Sequence, residues 1–221
     1  MKVLITAGPT REPLDPVRYL SNRSSGKMGY ALAAAFAEAG HHVLLVSGPT
    51  DLDVPPGIDF VPVETALEMF EAVGRHLFRM DAAVFAAAVA DYRPASAPDQ
   101  KIKKSGESMT IELIRNPDIL GSARSKMNFT GTLVGFAAET ENLEEHARGK
   151  LVRKQCDLII GNDVSKPGIG FESDRNELLL VYPNHSEAIP EDEKHHLSHR
   201  LVREIEVLAA TRKGSGSLQE P

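Results

Sequence analysis

A chain of 221 residues can bury a sizeable core as one large α/β unit or two small ones, and its 42% hydrophobic and 25% charged content is ordinary for a soluble globular protein. A net charge of −6 argues against non-specific binding to nucleic acid or to a membrane surface, so only local basic clusters need weighing. The lone cysteine, Cys156, excludes an internal disulfide and a cysteine-only zinc site; it suits a reducing compartment and a space-filling place at a helix end.

The N-terminus, MKVLITAGPT, runs straight into a strand without a signal peptide's cleavage pattern, and no apolar run approaches the roughly 20 residues of a membrane span. A cytoplasmic enzyme or binding protein is expected. Lys2 to Thr6 is a short apolar run rich in β-branched residues, closed by Gly8-Pro9: a buried strand and a turn. Apolar residues at Met28, Ala31, Leu32, Ala35, Phe36 and Ala39 then mark one helix face, with Gly40 as its stop. Val43 to Ser47 is a second buried strand, which completes a right-handed βαβ unit.

The alternation continues. Thr65-Ala66-Leu67-Glu68 is a capping box that opens a helix to about Met80. Ala82 to Ala88 and Met109 to Ile114 are predicted strands, and Asn116-Pro117-Asp118 starts a short helix. Leu133 to Ala137 is a strand, Leu143 to Cys156 a helix, and Leu158 to Gly161 a strand. Glu177 to Tyr182 is expected as the last strand and Asp192 to Lys213 as a terminal helix with acids first and bases last. The expected fold is a Rossmann-like, doubly wound, mostly parallel sheet with helices on both faces and an antiparallel C-terminal extension. It occupies residues 1–213 as one domain, with 214–221 as a disordered tail. Ligands of such sheets bind beyond the carboxyl ends of the strands, which points to residues 7–29, 86–104, 115–120 and 136–140.

Within the first segment, Ser24-Ser25-Gly26-Lys27 resembles a phosphate loop opening an alanine-rich helix. A Walker loop, however, needs a glycine five positions before Gly26 and Ser or Thr after Lys27; Ser21 and Met28 stand there. The dinucleotide fingerprint is missing too: Gly8 and Gly26 are separated by an insertion carrying Arg11, Asp15, Arg18 and Asn22, and Val46-Ser47-Gly48 offers no acid for a ribose diol. The helix start still presents backbone amides at Ser25, Gly26 and Lys27 and a positive dipole end. Two readings stand: an anion site, or Ser24 as an N-cap with tight packing. Lys101-Ile102-Lys103-Lys104, in a strand-end loop, is either a solvated basic run or a flap compensating the charges of a triphosphate.

The motifs ITAGPTREPLDPVRYLSNRSSGKMG, AAVADYRP, KIKK, NPDIL, GFAAET, KLVRK and GNDV, in this order between about residues 4 and 165, resemble the bacterial phosphopantothenoylcysteine synthetases, or phosphopantothenate–cysteine ligases. The resemblance implies that phosphopantothenate's carboxylate attacks the α-phosphate of CTP. An acyl-cytidylate and pyrophosphate result, and cysteine's amine then displaces CMP. In many bacteria this domain is fused behind a flavin-dependent decarboxylase. None precedes Met1, so the expectation is a freestanding ligase or an excised domain without FMN, with a decarboxylase as a fused or separate partner.

By position, the resemblance gives Asn22 a role in holding the acyl-cytidylate, with Arg18 beside it, and gives Lys101 the triphosphate as a catalytic cation. The helix start at Ser24, Ser25, Gly26 and Lys27 then becomes an anion site for phosphates of CTP or of the intermediate, and the resemblance implies Phe85, Ala86 and Ala87 as a nucleotide-contacting strand end. Asp91 is a nucleotide-site carboxylate acting through Mg2+, or else a turn-initiating Asp. Pro117, Asp118, Ile119 and Leu120 offer a second helix start to the nucleotide. Phe136 is a base-stacking ring or a core aromatic, and Lys150 and Lys154, four apart on one helix face, are nucleotide-binding lysines or solvated charges. The family implies a homodimer whose site is completed near the subunit contact. The rivals are an NAD(P)-dependent oxidoreductase on the same fold and a non-catalytic partner of a decarboxylase. His195 and His199 share a helix face but lack a third ligand, which favours an exposed polar face over zinc.

Overall fold

Alternation along the first strand decides the architecture. In β1 (Lys2–Ala7), Val3, Ile5 and Ala7 join one buried cluster and Leu4 joins another, so both faces of the strand need a covering layer. The computed structural model describes residues 1–104, 106–165 and 173–216, with side chains as far as residue 212. After β1 come β2 (Arg11–Pro13), β3 (Tyr19–Ser21), α1 (Lys27–Glu38), β4 (His42–Ser47), β5 (Asp59–Pro62), α2 (Ala66–His76) and a 3-10 turn (Leu77–Arg79). The second half holds β6 (Ala82–Phe85), β7 (Tyr92–Pro94), β8 (Leu113–Arg115), α3 (Ile119–Ser125), β9 (Thr132–Glu139), α4 (Leu143–Lys154), β10 (Leu158–Asp163), β11 (Arg175–Val181), β12 (Ser186–Glu193) and α5 (Lys194–Gly216).

Eight strands form one sheet in the order β12-β11-β10-β9-β6-β1-β4-β5. In that order the run β10-β9-β6-β1-β4-β5 pairs in parallel, and β11 and β12 extend the sheet antiparallel. α1 and α5 cover the face carrying Val3 and Ile5, while α2, α3 and α4 cover the face carrying Leu4. This is the doubly wound sheet with an antiparallel extension that the alternation predicts. The chain winds outward from β1 to β4 and β5, then returns to β6 on β1's other side. The strand order therefore reverses at β1 and β6, and a crevice opens at their carboxyl ends.

The Thr65 box caps α2 as expected: its side-chain oxygen accepts from the Glu68 N–H at 3.2 Å, and Glu68 reaches back to accept from the Glu64 N–H at 2.7 Å. Other expectations need correction. The run Ala82 to Ala88 leaves the ladder after Phe85, with Ala86 and Ala88 donating to the Thr6 and Gly8 carbonyls beside it. Met109 to Ile114 contributes only β8, which pairs with β7 in a separate ribbon and exposes Leu113 and Ile114. β5 and β12 escape prediction. The first is an edge strand ending at Pro62; the second buries only Ile189 among polar residues, so its apolar alternation is too sparse to read.

Because Asp192 and Glu193 belong to β12, α5 has no acidic first turn, contrary to the expected acids-first helix. α5 also runs through Gly214, Ser215 and Gly216, which the sequence assigns to the tail; residues 217–221 lie outside the described residues. Among the described residues, no helix is long and apolar enough to cross a membrane.

Candidate functional site

Gly26 adopts φ 79° immediately before α1, a left-handed conformation that glycine takes without strain. It occupies the N-cap position, where Ser24 is the alternative, and no side chain caps the first turn. Ser24 Oγ instead accepts from the Gly26 N–H at 3.3 Å, one residue short of the helix. Ser24 is therefore not the N-cap, although the tight packing expected with it is present. A Cβ at Gly29 would lie 2.6 Å from Ala7 Cβ, so α1 seats its first turn directly against the end of β1. A twelve-residue helix thus aims an uncapped, electropositive end at the crevice.

The crevice is one groove made of two adjoining clefts, about 500 Å3 and 400 Å3, that share Ala87, Val89, Asp91, Phe136 and Lys150. Phe85, Pro117, Asp118, Ile119, Leu120 and Lys154 complete the larger cleft. Asn22, Ser24, Ser25, Gly26, Lys27 and Ala86 line the smaller one, opposite Asn162, Asn176 and Lys194. Segments far apart in sequence meet here: those after β1 and β6 and the end of β9 lie at the carboxyl ends of central strands, while Pro117 to Leu120 arrive at the start of α3.

Lysines set the groove's electrostatics, each held by a partner. Lys150 Nζ donates to the Phe136 carbonyl at 2.6 Å, and burial lowers its pKa from the ordinary lysine value. Lys154 pairs with Asp118 Oδ2. Burial pushes the Asp118 carboxyl up, but the hydrogen bond from Lys154, the Gly121 N–H and the charges of Lys154 and Lys150 outweigh it and leave its pKa lowered. Asp118 Oδ1 accepts from the Gly121 N–H at 2.9 Å and so caps α3. This corrects the expectation of a second open helix start: the α3 end is occupied by its own carboxylate. The segment contributes the buried walls Ile119 and Leu120 and an ion pair.

Lys27 does not turn its amine freely to the groove; Nζ donates to Asp174 at 2.7 Å. Asn22 Nδ2 donates to the Ala88 carbonyl at 2.9 Å and, having two hydrogens, keeps one for a ligand. Asp91 is exposed along both clefts. Among the described residues, no three His, Cys, Asp or Glu side chains gather as a metal cage. The groove therefore fits magnesium only in the mode where one carboxylate assists and phosphates supply most ligands. Burial pushes the Cys156 thiol up to about 12, so it stays protonated and inert.

Two predicted residues stand outside the groove. Arg18 binds Asp15 through Nη2 at 2.6 Å and Nε at 3.1 Å. Lys101 is exposed and lines neither cleft, because the adjacent Ile102 backbone is held by Asp15 and Arg18. Among the lining residues that sequence reasoning missed, three lie together in the smaller cleft: Asn162, Asn176 and Lys194. Asn162 is 7% exposed, and its Oδ1 is buried without a hydrogen-bond partner. Asn176 is buried on β11. Lys194, also buried, donates to the Ser173 carbonyl at 2.5 Å; burial and the Lys27 charge lower it to about 8 against the pull of Asp174. Asn162 stands in the GNDV motif, which is the one signal available for it. Lys194 is hidden in the polar run EDEKHH.

The comparisons agree with the fold. Residues 1–208 match the DNA/pantothenate metabolism flavoprotein C-terminal domain. The chain is 49% identical over 208 residues to the coenzyme A biosynthesis bifunctional protein CoaBC of Escherichia coli strain K12, covering 93% of this chain and 51% of that one. It is 45% identical over 209 residues to the same-named protein of Bacillus subtilis strain 168, covering 94% and 51%. The chain thus spans about half the length of these relatives. A crystal structure of the C-terminal domain of a CoaBC protein superposes with a TM-score of 0.81 at 38% identity, over 95% of this chain and 96% of that one. With its match over nearly the whole length and its groove at the strand-order reversal, the chain belongs to the DNA/pantothenate metabolism flavoprotein C-terminal domain family.

Proposed function

We propose that the chain is a phosphopantothenate–cysteine ligase of coenzyme A biosynthesis that uses CTP. The observation that carries this reading is the single groove running from the uncapped start of α1 to Phe136, Lys150 and Lys154. It offers an electropositive end for phosphates with the Asn22 amide beside it, and a ring and apolar walls for a base. A carboxylate oxygen of phosphopantothenate attacks the α-phosphorus of CTP, and the bond to the leaving pyrophosphate breaks. The amine of cysteine then attacks the acyl carbon, loses a proton and expels CMP. Ser24, Ser25, Gly26 and Lys27 bind phosphate oxygens, and Asn22 donates to oxygen as negative charge builds at the acyl centre.

Phe85, Ala86 and Ala87 border the nucleotide, Pro117 to Leu120 wall it in, and Lys150 and Lys154 offset its charge. Magnesium held by the phosphates and Asp91 would neutralise charge on the triphosphate when bound. The apolar side chains Val17, Tyr19, Tyr92 and Leu113, exposed on or beside the adjoining ribbons β2–β3 and β7–β8, support a homodimer. A site completed near that contact accounts for Arg18 and Lys101 lying off the chain's own groove. The relatives' bifunctional form supports a decarboxylase as a fused or separate partner, and the cytoplasm is the compartment proposed for the reaction.

The discriminating experiment incubates the protein with phosphopantothenate and labelled CTP and omits cysteine. Pyrophosphate release and a trapped acyl-cytidylate are expected. Release only when cysteine is present would contradict the two-step reading, and no release in either case would contradict the ligase.

A further inference from the structure

The hairpin joining β2 to β3 holds a carboxylate whose surroundings the reaction leaves unexplained. The Asp15 side chain is fully buried, and five donors converge on it. Its Oδ1 accepts from the N–H groups of Val17 and Arg18, each at 2.9 Å. Its Oδ2 accepts from Arg18 Nε at 3.1 Å, Arg18 Nη2 at 2.6 Å and the Ile102 N–H at 3.1 Å. Arg18 Nη2 also donates to the Ile102 carbonyl at 3.3 Å. Both backbone groups of Ile102 are therefore tied to one ion pair, 87 residues away in sequence.

The two oxygens do different jobs. Closing the hairpin turn needs only the contacts on Oδ1, which an asparagine would make equally well. The contacts on Oδ2 serve Arg18 and the loop. That loop has no regular structure, and its three lysines are exposed, so its placement depends on what Ile102 touches. The Arg18 guanidinium, working against burial, holds the Asp15 carboxyl well below the usual carboxylate range, and the Val17, Ile102 and Arg18 amides add to this. A lysine is a point charge on a flexible stem, so the protein aims it chiefly by fixing its backbone.

We propose that Asp15 is a positioning residue, which through Arg18 and the Ile102 backbone fixes the lysine loop and with it the reach of Lys101. The catalytic half of this statement rests on the role given to Lys101 under the proposed function; the tether itself does not.

Asp15→Asn tests it selectively. The amide oxygen keeps the two hairpin bonds, while the NH2 group confronts the donors of Arg18 and Ile102 and breaks the tether. Ile102→Pro deletes the loop's own donor and leaves the Asp15–Arg18 pair intact. Under brief trypsin digestion of the folded protein, cleavage after Lys103 and Lys104 should rise about tenfold or more in both variants, the scale set by hydrogen bonds to an ionised group. Unchanged cleavage in both would overturn the tether.

Single-turnover pyrophosphate release then reads the consequence. Asp15→Asn should slow it about tenfold in the parent protein but less than about twofold in a Lys101→Gln background, because a residue acting through Lys101 has nothing left to act on. An equal loss in both backgrounds would mean a merely structural role and overturn the proposal's catalytic half. A Lys101→Gln protein as fast as the parent would instead remove the role given to Lys101, with the tether still judged by proteolysis.

Discussion

Asn22 carries the sharpest prediction at the scale of single residues. Its amide donates to the Ala88 carbonyl and faces the smaller cleft. A carboxylate there cannot donate and adds negative charge beside the proposed phosphates. Asn22→Asp should cut ligase turnover by about 100-fold or more, the cost of losing one preorganised donor to a developing oxyanion. Steady-state assays on protein of normal melting temperature check this; full activity would remove Asn22 from the mechanism. Lys194 makes a prediction in pH. Its folded pKa, lowered to about 8, lies below the ordinary lysine value of 10.5, so between those values the unfolded chain binds more protons than the native one. Native stability therefore gains from Lys194 as pH rises through that window, and the full cost of burying the cation is present below pH 8. Lys194→Met should be more stable than the parent at pH 7, on the order of 1–3 kcal/mol. Urea unfolding should show that advantage shrinking as the pH rises above 8. An advantage independent of pH would contradict the buried charge as its source.

The start of α1 ties stability to binding at the scale of the element. A methyl at Gly29 would meet Ala7 Cβ at 2.6 Å, with no flexible side chain to give way. Gly29→Ala should cost about 1–3 kcal/mol, as overpacked cores do. It should weaken CTP binding as well, since α1 can relieve the clash only by moving its amides. Calorimetric melting and CTP titration test the pair together; an unaltered affinity in a destabilised protein would separate α1 from the nucleotide. This element was legible in outline only. The apolar face of α1 and the glycine-rich turn are plain in the sequence, yet which residue caps the helix depends on the left-handed Gly26, and periodicity does not report that. In the same way the Asn116-Pro117-Asp118 start of α3 was readable, but not that Asp118 spends its carboxylate on the cap and on Lys154.

Topology decides what could be read across the whole molecule. The central strands are buried on both faces, so they appear as apolar runs, and the rule that ligands sit at their carboxyl ends places Asp91, Pro117, Phe136 and the SSGK turn on one groove before any contact is known. The antiparallel extension follows no such rule. Asn176 and Lys194 reach the groove only because β11 pairs with β10 and the chain re-enters at the start of α5. The inserted hairpin carries Arg18 outward in the same unannounced way, because the loop it contacts at Ile102 lies 84 residues further along the chain. The central claim is that one groove takes both the nucleotide and the acid it activates. A crystal structure of the protein with CTP and phosphopantothenate, cysteine withheld, tests it most directly. The account predicts an acyl-cytidylate lying along the groove, its base beside Phe136 and its phosphates toward the first turn of α1; density lodged elsewhere, as in the neighbouring cleft beside Tyr30 and Leu52 that meets the groove at Lys27 and Lys194, would contradict it.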